Sequence, residues 1–205
     1  MLIINFKNYK TGKEVLNFTK NIDNKCIIVA VPFLNIKEVA KNTKLIVYAQ
    51  HVDNKIGDRN TGFLTPKSVK DAGAIGTLLN HSEHQLSLKK IEQTVIECKK
   101  QKLNVIICTD DLNQVSALIK LKPFAIAYED PKLIATKNSI TNYPIKILKF
   151  VKLLSKTRIF PLCGAGINTG NDVESAIILG CKGVLISSAI MKSKNPKNLI
   201  RRFDI

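Results

Sequence analysis

Arginine is scarce in this sequence. Of 32 cationic side chains only Arg59, Arg158, Arg201 and Arg202 are arginine, so the formal net charge of +16 is carried almost wholly by lysine. Nucleic-acid surfaces favour the planar arginine fork, and single-strand grooves interleave basic residues with aromatics. Neither pattern occurs here. The lysines are spread over many segments, beside abundant asparagine and isoleucine. That distribution reads as a compositional bias on a solvated surface and argues against nucleic acid as a partner. A basic field of this size still attracts small anions.

Long apolar runs are missing too. None approaches the roughly 18 residues of a membrane helix, which excludes a helical membrane protein. The opening Met1-Leu2-Ile3-Ile4-Asn5-Phe6-Lys7 enters a strand-like run at once. It lacks the basic start, apolar stretch and cleavage site of a secretory leader. Paired cysteine motifs are absent: Cys26, Cys98, Cys108, Cys163 and Cys181 are odd in number and none forms a CxxC. This speaks against a disulfide framework and a zinc site. The cysteines read as buried small hydrophobes, and the expected compartment is the cytoplasm. No linker or composition shift divides the chain, so residues 1–205 are expected to form one domain.

What is present is a series of short runs rich in Ile, Val, Leu, Phe and Ala: Leu2–Phe6, Cys26–Val31, Leu45–Gln50, Ile75–Asn80, Asn104–Thr109, Phe124–Glu129, Arg158–Cys163 and Gly183–Ser187. Each has strand length. Between several of them lie amphipathic patterns. The clearest is Ser87–Gln101, with Leu88, Ile91, Val95 and Cys98 on one face, Lys89, Lys90, Gln93, Glu97 and Lys100 on the other, and Ser87 placed to cap. Leu112–Leu121, Tyr143–Leu154 and Gly170–Leu179 are similar. Asp53–Gly62 reads as a polar loop. Continuous apolar strands alternating with helices imply a parallel sheet buried on both faces. Eight units point to a closed (β/α)8 barrel, although six would equally allow an open doubly wound sheet.

Period-2 alternation refines this. In Phe124-Ala125-Ile126-Ala127-Tyr128-Glu129, the small residues and Glu129 share one face, and the large residues share the other. Small residues suit a crowded barrel interior, which places Glu129 inside, at the C-terminal end where barrel active sites are built. Asn5 and Lys7 likewise share a face opposite Phe6. Lys7, His81 and Glu129 then end the first, fourth and sixth strands. Singly they are commonplace: a solvated charge, a satisfied imidazole, a cap or ion-pair partner. In a barrel they converge on one mouth. A carboxylate, an imidazole and an ammonium together suit proton abstraction beside a carbonyl, with the imidazole donating to oxygen and the ammonium offsetting negative charge.

Asn5-Phe6-Lys7, Asn80-His81-Ser82-Glu83, Ala127-Tyr128-Glu129-Asp130-Pro131 and Cys163-Gly164-Ala165-Gly166-Ile167 resemble, in order, the motifs of the triosephosphate isomerase family. Ala49-Gln50-His51-Val52-Asp53 and Thr77–Glu83 resemble its compact archaeal-type branch. The resemblance runs from Ile4 to about Pro196. It implies a single-domain TIM barrel needing no cofactor and no metal. The implied activity interconverts dihydroxyacetone phosphate and D-glyceraldehyde 3-phosphate through an enediolate, in glycolysis and gluconeogenesis. The triose phosphate is the implied partner, in a homodimer or homotetramer, with Thr61-Gly62 where the family's third loop meets a neighbouring subunit.

The resemblance also implies roles. Glu129 is the base, His81 the neutral electrophile at a helix N-terminus, Lys7 the positive charge and Asn5 an orienting group. Glu83 pairs near Lys7. The backbone N–H groups of Ala135, Gly166, Ser187 and Ser188 hold the phosphate. Glycines before a helix let a backbone approach an oxyanion closely, and Gly164-Ala165-Gly166 precedes the helix read from Gly170. Two departures stand out. The family's lid ends in a Gly-Thr-Gly-like stretch, where this chain has Ile134-Ala135-Thr136-Lys137. Serines replace glycines often found at the last two phosphate positions. Rival barrel chemistries fit less well, since a Schiff-base aldolase would need a strand lysine where Glu129 stands.

Overall fold

A computed structural model describes residues 1–203. Eight parallel strands close into a barrel in strict chain order. They are β1 (Leu2–Asn5), β2 (Ile27–Val31), β3 (Ile46–Ala49), β4 (Gly76–Leu79), β5 (Asn104–Thr109), β6 (Ala125–Glu129), β7 (Phe160–Gly164) and β8 (Gly183–Ile186). The ring closes where Leu2 pairs with Val184 and Ile4 with Ile186. The open doubly wound alternative is thereby excluded. All eight apolar runs became strands. The seventh moved towards the C-terminus because Thr157 turns the chain, its hydroxyl accepting from the Ile159 N–H at 3.1 Å.

Outside the barrel lie α1 (Lys13–Asn21), α2 (Ile36–Asn42), α3 (Pro66–Asp71), α4 (Leu88–Lys100), α5 (Val115–Lys120), α6 (Pro144–Leu154), α7 (Gly170–Ile178), α8 (Ser188–Met191) and α9 (Pro196–Arg201). Their ends follow local chemistry. The Ser87 hydroxyl accepts from the Lys90 N–H to start α4. Thr169 and Asp172 form a reciprocal capping box on α7, satisfying donors a helix start otherwise leaves unpaired. On α4 the buried face is Ile91, Thr94, Val95 and Cys98. Leu88, expected on that face, is largely exposed in the first turn.

Strand parity divides the core in two. Odd residues of β6 and their counterparts elsewhere fill the barrel: Ile3, Ile28, Tyr48, Leu78, Ile106, Ala125, Ala127, Leu162 and Leu185. The opposite face, with Ile4, Val29, Val47, Ile107, Ile126, Tyr128 and Val184, packs beneath the helices against residues such as Ile147, Phe150 and Val173. Each large side chain fully buried there contributes about 1.5–3 kcal/mol relative to exposure. Phe124, expected on the helix side, instead precedes β6 and packs at the barrel floor, its ring 5.2 Å from that of Phe160. One buried aromatic residue joins the aliphatic ones in the interior. Tyr48 fits because Gly76 opposite has no side chain, and a Cβ there would stand 2.6 Å from the ring.

Candidate active site

The interior parity that places Ala125 and Ala127 in the barrel carries upward to its rim. There Asn5, Gln50, Asn80, Glu129, Gly164 and Ser187 end or follow their strands, and Cys108 is the last but one of β5. Asn5, Lys7, His81, Glu129, Ala135, Gly166, Ser187 and Ser188 all line one pocket at this mouth. The structure thus brings eight of the nine expected site residues together. Glu83, the ninth, lies at its edge, in a neighbouring cleft that shares Asn5, Lys7 and His81.

Lys7 is held in a left-handed backbone conformation, φ 45°, which costs a non-glycine residue about 1–2 kcal/mol. Two contacts impose it. The Lys7 N–H donates to Asn5 Oδ1 at 3.0 Å, and Gln50 Nε2 donates to the Lys7 carbonyl at 2.8 Å. The ammonium meets Glu83 Oε1 at 2.6 Å. Glu83 is 58% exposed and the Lys7 side chain 13%, so this pair contributes at most about 1 kcal/mol. It orients Lys7 more than it stabilises the fold.

His81 sits on a turn rather than at a helix N-terminus. The His84 N–H closes the turn on the His81 carbonyl at 2.8 Å, and α4 begins only at Leu88. What orients the ring is a single backbone donor: the Glu83 N–H points at His81 Nδ1 from 3.2 Å. An accepting Nδ1 carries no proton, so the ring proton resides on Nε2. Nε2 faces Glu129 Oε2 at 3.8 Å.

Glu129 is buried at the end of β6. Its carboxyl is held above the ordinary value of 4.5 by burial, opposed by His81, the Cys108 thiol and Lys7. Among the described residues Oε2 has no hydrogen-bond partner. Beside it, Gly164 of β7 pairs in register with Glu129. A Cβ at Gly164 would stand 2.7 Å from Glu129 Oε1, so the carboxylate occupies space that only glycine leaves. Burial and the Glu129 charge push the Cys108 thiol well above its usual range, leaving it a neutral neighbour.

The other side of the pocket is backbone. Among the described residues, the N–H groups of Ala135, Gly166, Ser187 and Ser188 donate to no carbonyl. Gly166 has φ 67°, and a Cβ on it would collide with the Asn138 carbonyl of the loop 130–139. That loop folds over the mouth. Asp130 accepts from the Lys132 N–H and pairs with Lys146 at 3.1 Å. Asn168 Nδ2 bridges to the Thr136 and Gly166 carbonyls. Ala135 at the tip adopts φ 59°, the region glycine accepts freely and alanine does not. Lys137 is exposed. The helix read from Gly170 starts there as α7, while the helix that begins beside the pocket is the short α8.

Sequence reasoning quoted Gln50, Asn80 and Ser82 within motifs but gave them no role, passed over Cys108, and read Gly164 as part of a phosphate turn rather than as room for Glu129. Parity alone pointed to Gln50 and Cys108, which share the inward face with Tyr48 and Ile106. Ser82, whose hydroxyl is buried without a partner among the described residues, offered no comparable signal. Among the described residues no group of three His, Cys, Asp or Glu could hold a metal ion, and no helix is long and apolar enough to cross a membrane.

The closed parallel barrel, with Lys7, His81 and Glu129 gathered at the C-terminal ends of its strands, has the architecture of the TIM-barrel class. Comparison with known proteins narrows this. A family model described as triosephosphate isomerase matches residues 1–203. The triosephosphate isomerase of Methanocaldococcus jannaschii is 35% identical, covering 98% of this chain and 97% of its own. That of Saccharolobus solfataricus is 38% identical, covering 99% and 94%. The crystal structure of triosephosphate isomerase from Bartonella henselae shares the fold with a TM-score of 0.77 at 17% identity, covering 100% and 98%. The chain belongs to the triosephosphate isomerase family, whose reaction is an aldose–ketose isomerisation.

Proposed function

We propose that this chain interconverts dihydroxyacetone phosphate and D-glyceraldehyde 3-phosphate, with Glu129 as the base. The observation that carries the reading is the unpartnered Glu129 Oε2, 3.8 Å from His81 Nε2, in a pocket rimmed by four free backbone N–H groups. Glu129 takes a proton from the carbon beside the carbonyl, leaving an enediolate and a neutral carboxylic acid. His81 donates its Nε2 proton towards the oxygen that gains charge. His81 Nε2 recovers a proton from the hydroxyl on the carbon that Glu129 deprotonated, and Glu129 returns its own proton to the neighbouring carbon, so the two transfers together balance with no cofactor. A raised carboxyl suits this work, because a stronger base takes a carbon-bound proton more readily. Asn5 orients a substrate oxygen, and Lys7, fixed by Glu83, supplies charge that strengthens in the water-poor mouth.

The phosphate is received by the N–H groups of Ala135, Gly166, Ser187 and Ser188, and the loop 130–139 shields the enediolate from water. Physiologically the reaction belongs to glycolysis and gluconeogenesis in the cytoplasm, in keeping with five free cysteines of which four are buried. The chain works as a homodimer or homotetramer; Ile56 and Phe63, 68% and 49% exposed, flank the Thr61-Gly62 loop that an adjoining subunit would cover. A coupled assay with dihydroxyacetone phosphate tests the activity, and light scattering tests the assembly. Absence of turnover in the purified chain overturns the first, and a monomer at working concentration the second.

A further inference from the structure

Asn80 stands at a junction that the reaction scheme above leaves unused. It follows β4 in a left-handed conformation, φ 59°, a region asparagine tolerates better than other side-chain-bearing residues. The turn lifts the backbone away from β5, whose last register pair with β4 is Leu79 with Ile107. The next carbonyl on β5, that of Cys108, would lose its partner from this side. The Asn80 side chain replaces it, with Nδ2 donating to the Cys108 carbonyl at 2.8 Å. Its other end reaches forward. Oδ1 accepts from the Leu86 N–H at 2.8 Å, closing the loop 81–86 that bears His81 and Glu83.

One amide therefore ties together the strand carrying Cys108, which touches Glu129, and both ends of the loop carrying His81. We propose that Asn80 is a positioning residue for the isomerisation. It fixes the His81 ring, through its own turn and the Leu86 and Cys108 links, at the distance and tautomer that face Glu129. This rests on the proposed roles of His81 and Glu129. The residue type follows from the geometry. Glycine would accept the backbone angle but make neither bond. Aspartate would keep the Leu86 link but set an oxygen against the Cys108 carbonyl. Only asparagine supplies a donor, an acceptor and the turn.

The test uses the full-length chain with Asn80→Gly and Asn80→Asp. Because glycine accepts the angle, the first variant keeps the turn; the second breaks the Cys108 link alone. The proposal expects kcat to fall about 10- to 100-fold in Asn80→Gly, the scale of a displaced catalytic group. KM and inhibition by inorganic phosphate should stay near parental, since Ala135, Gly166, Ser187 and Ser188 are untouched. Asn80→Asp should fall between parent and Asn80→Gly. The chain has only three histidines, so nitrogen NMR of labelled imidazoles resolves His81. In the parent its Nδ1 should be unprotonated; in Asn80→Gly the ring should average between tautomers. Parental kcat, or a kcat loss that only mirrors loss of folded protein with an unchanged His81 spectrum, overturns the proposal. An inactive parent would instead overturn the isomerase reading, while the His81 spectrum would still decide whether Asn80 sets the ring.

Discussion

The two sides of the mouth are built by different means. On one side Lys7, His81 and Glu129 present side chains from the ends of β1, β4 and β6, each pinned by neighbours: Asn5 and Gln50 on Lys7, the Glu83 N–H on His81, Gly164 against Glu129. On the other side the loops after β6, β7 and β8 present backbone N–H groups, and side chains matter mainly for what they permit. Ala135, Ala165 and Gly166 all have positive φ there. A side-chain site is read from residue types. A backbone site is read from conformation, and different residues can build it provided they tolerate the angle.

The contrast breaks most visibly at Glu129. Glu129→Gln should lower kcat by about 10²–10⁴-fold, the scale of a lost general base, with inorganic phosphate affinity little changed, because a base acts in the transition state and the proposed phosphate donors lie on other loops. Steady-state kinetics with phosphate inhibition decides it, and near-parental kcat would remove Glu129 from the base role. Lys7→Ala should cost about 10²–10³-fold in kcat/KM and, unlike Glu129→Gln, should also raise KM, since a fixed charge serves the bound anion and the developing oxyanion alike. Parental values for both constants would make Lys7 a surface charge.

On the backbone side, Gly166→Ala should weaken phosphate binding about tenfold and leave the proposed proton-transfer groups in place. The added Cβ meets the Asn138 carbonyl at a φ that costs about 1–2 kcal/mol. Isothermal titration with inorganic phosphate measures this, and unchanged affinity would mean the loops adjust freely. Ala135→Gly should act in the opposite sense and more weakly. Relief of at most about 1–2 kcal/mol at φ 59° should tighten a transition-state analogue more than inorganic phosphate and reduce phosphate elimination per turnover. If all three measurements are unmoved, the alanine is accommodated without strain.

A stability measurement sharpens the same comparison. Glu129 binds its proton more tightly folded than unfolded, because burial holds its carboxyl above 4.5. Its contribution to stability therefore falls as pH rises from the unfolded value through the folded one, and its cost is complete above the folded value. Glu129→Gln should accordingly be more resistant to thermal unfolding than the parent at neutral pH, with the advantage shrinking towards pH 4.5. An equal difference at both ends would mean that the burial cost does not reside in the charge.

Much of this was legible in the residue string. Alternation in β6 requires Glu129 to face inward, because a strand's side chains alternate by geometry alone, and the same argument seats Asn5 beneath the mouth. Eight apolar runs separated by amphipathic segments specify parallel strands, since only helices on the outside can cover a sheet that is apolar on both faces. What the string could not decide lies in contacts between distant segments. Nothing local requires Lys7 to turn left-handed; Gln50, from another strand, holds its carbonyl there. Nothing near Phe124 says that it closes the floor with Phe160, or near Gly76 that it makes room for Tyr48. His81 lost its expected helix N-terminus because the chain turns at 82–84 before α4 begins, and its tautomer depends on one N–H from Glu83. Residue identity and spacing determine which face a side chain takes, because those are properties of a single strand. Ring closure alone determines which neighbours it meets there, because the partners come from strands tens of residues away.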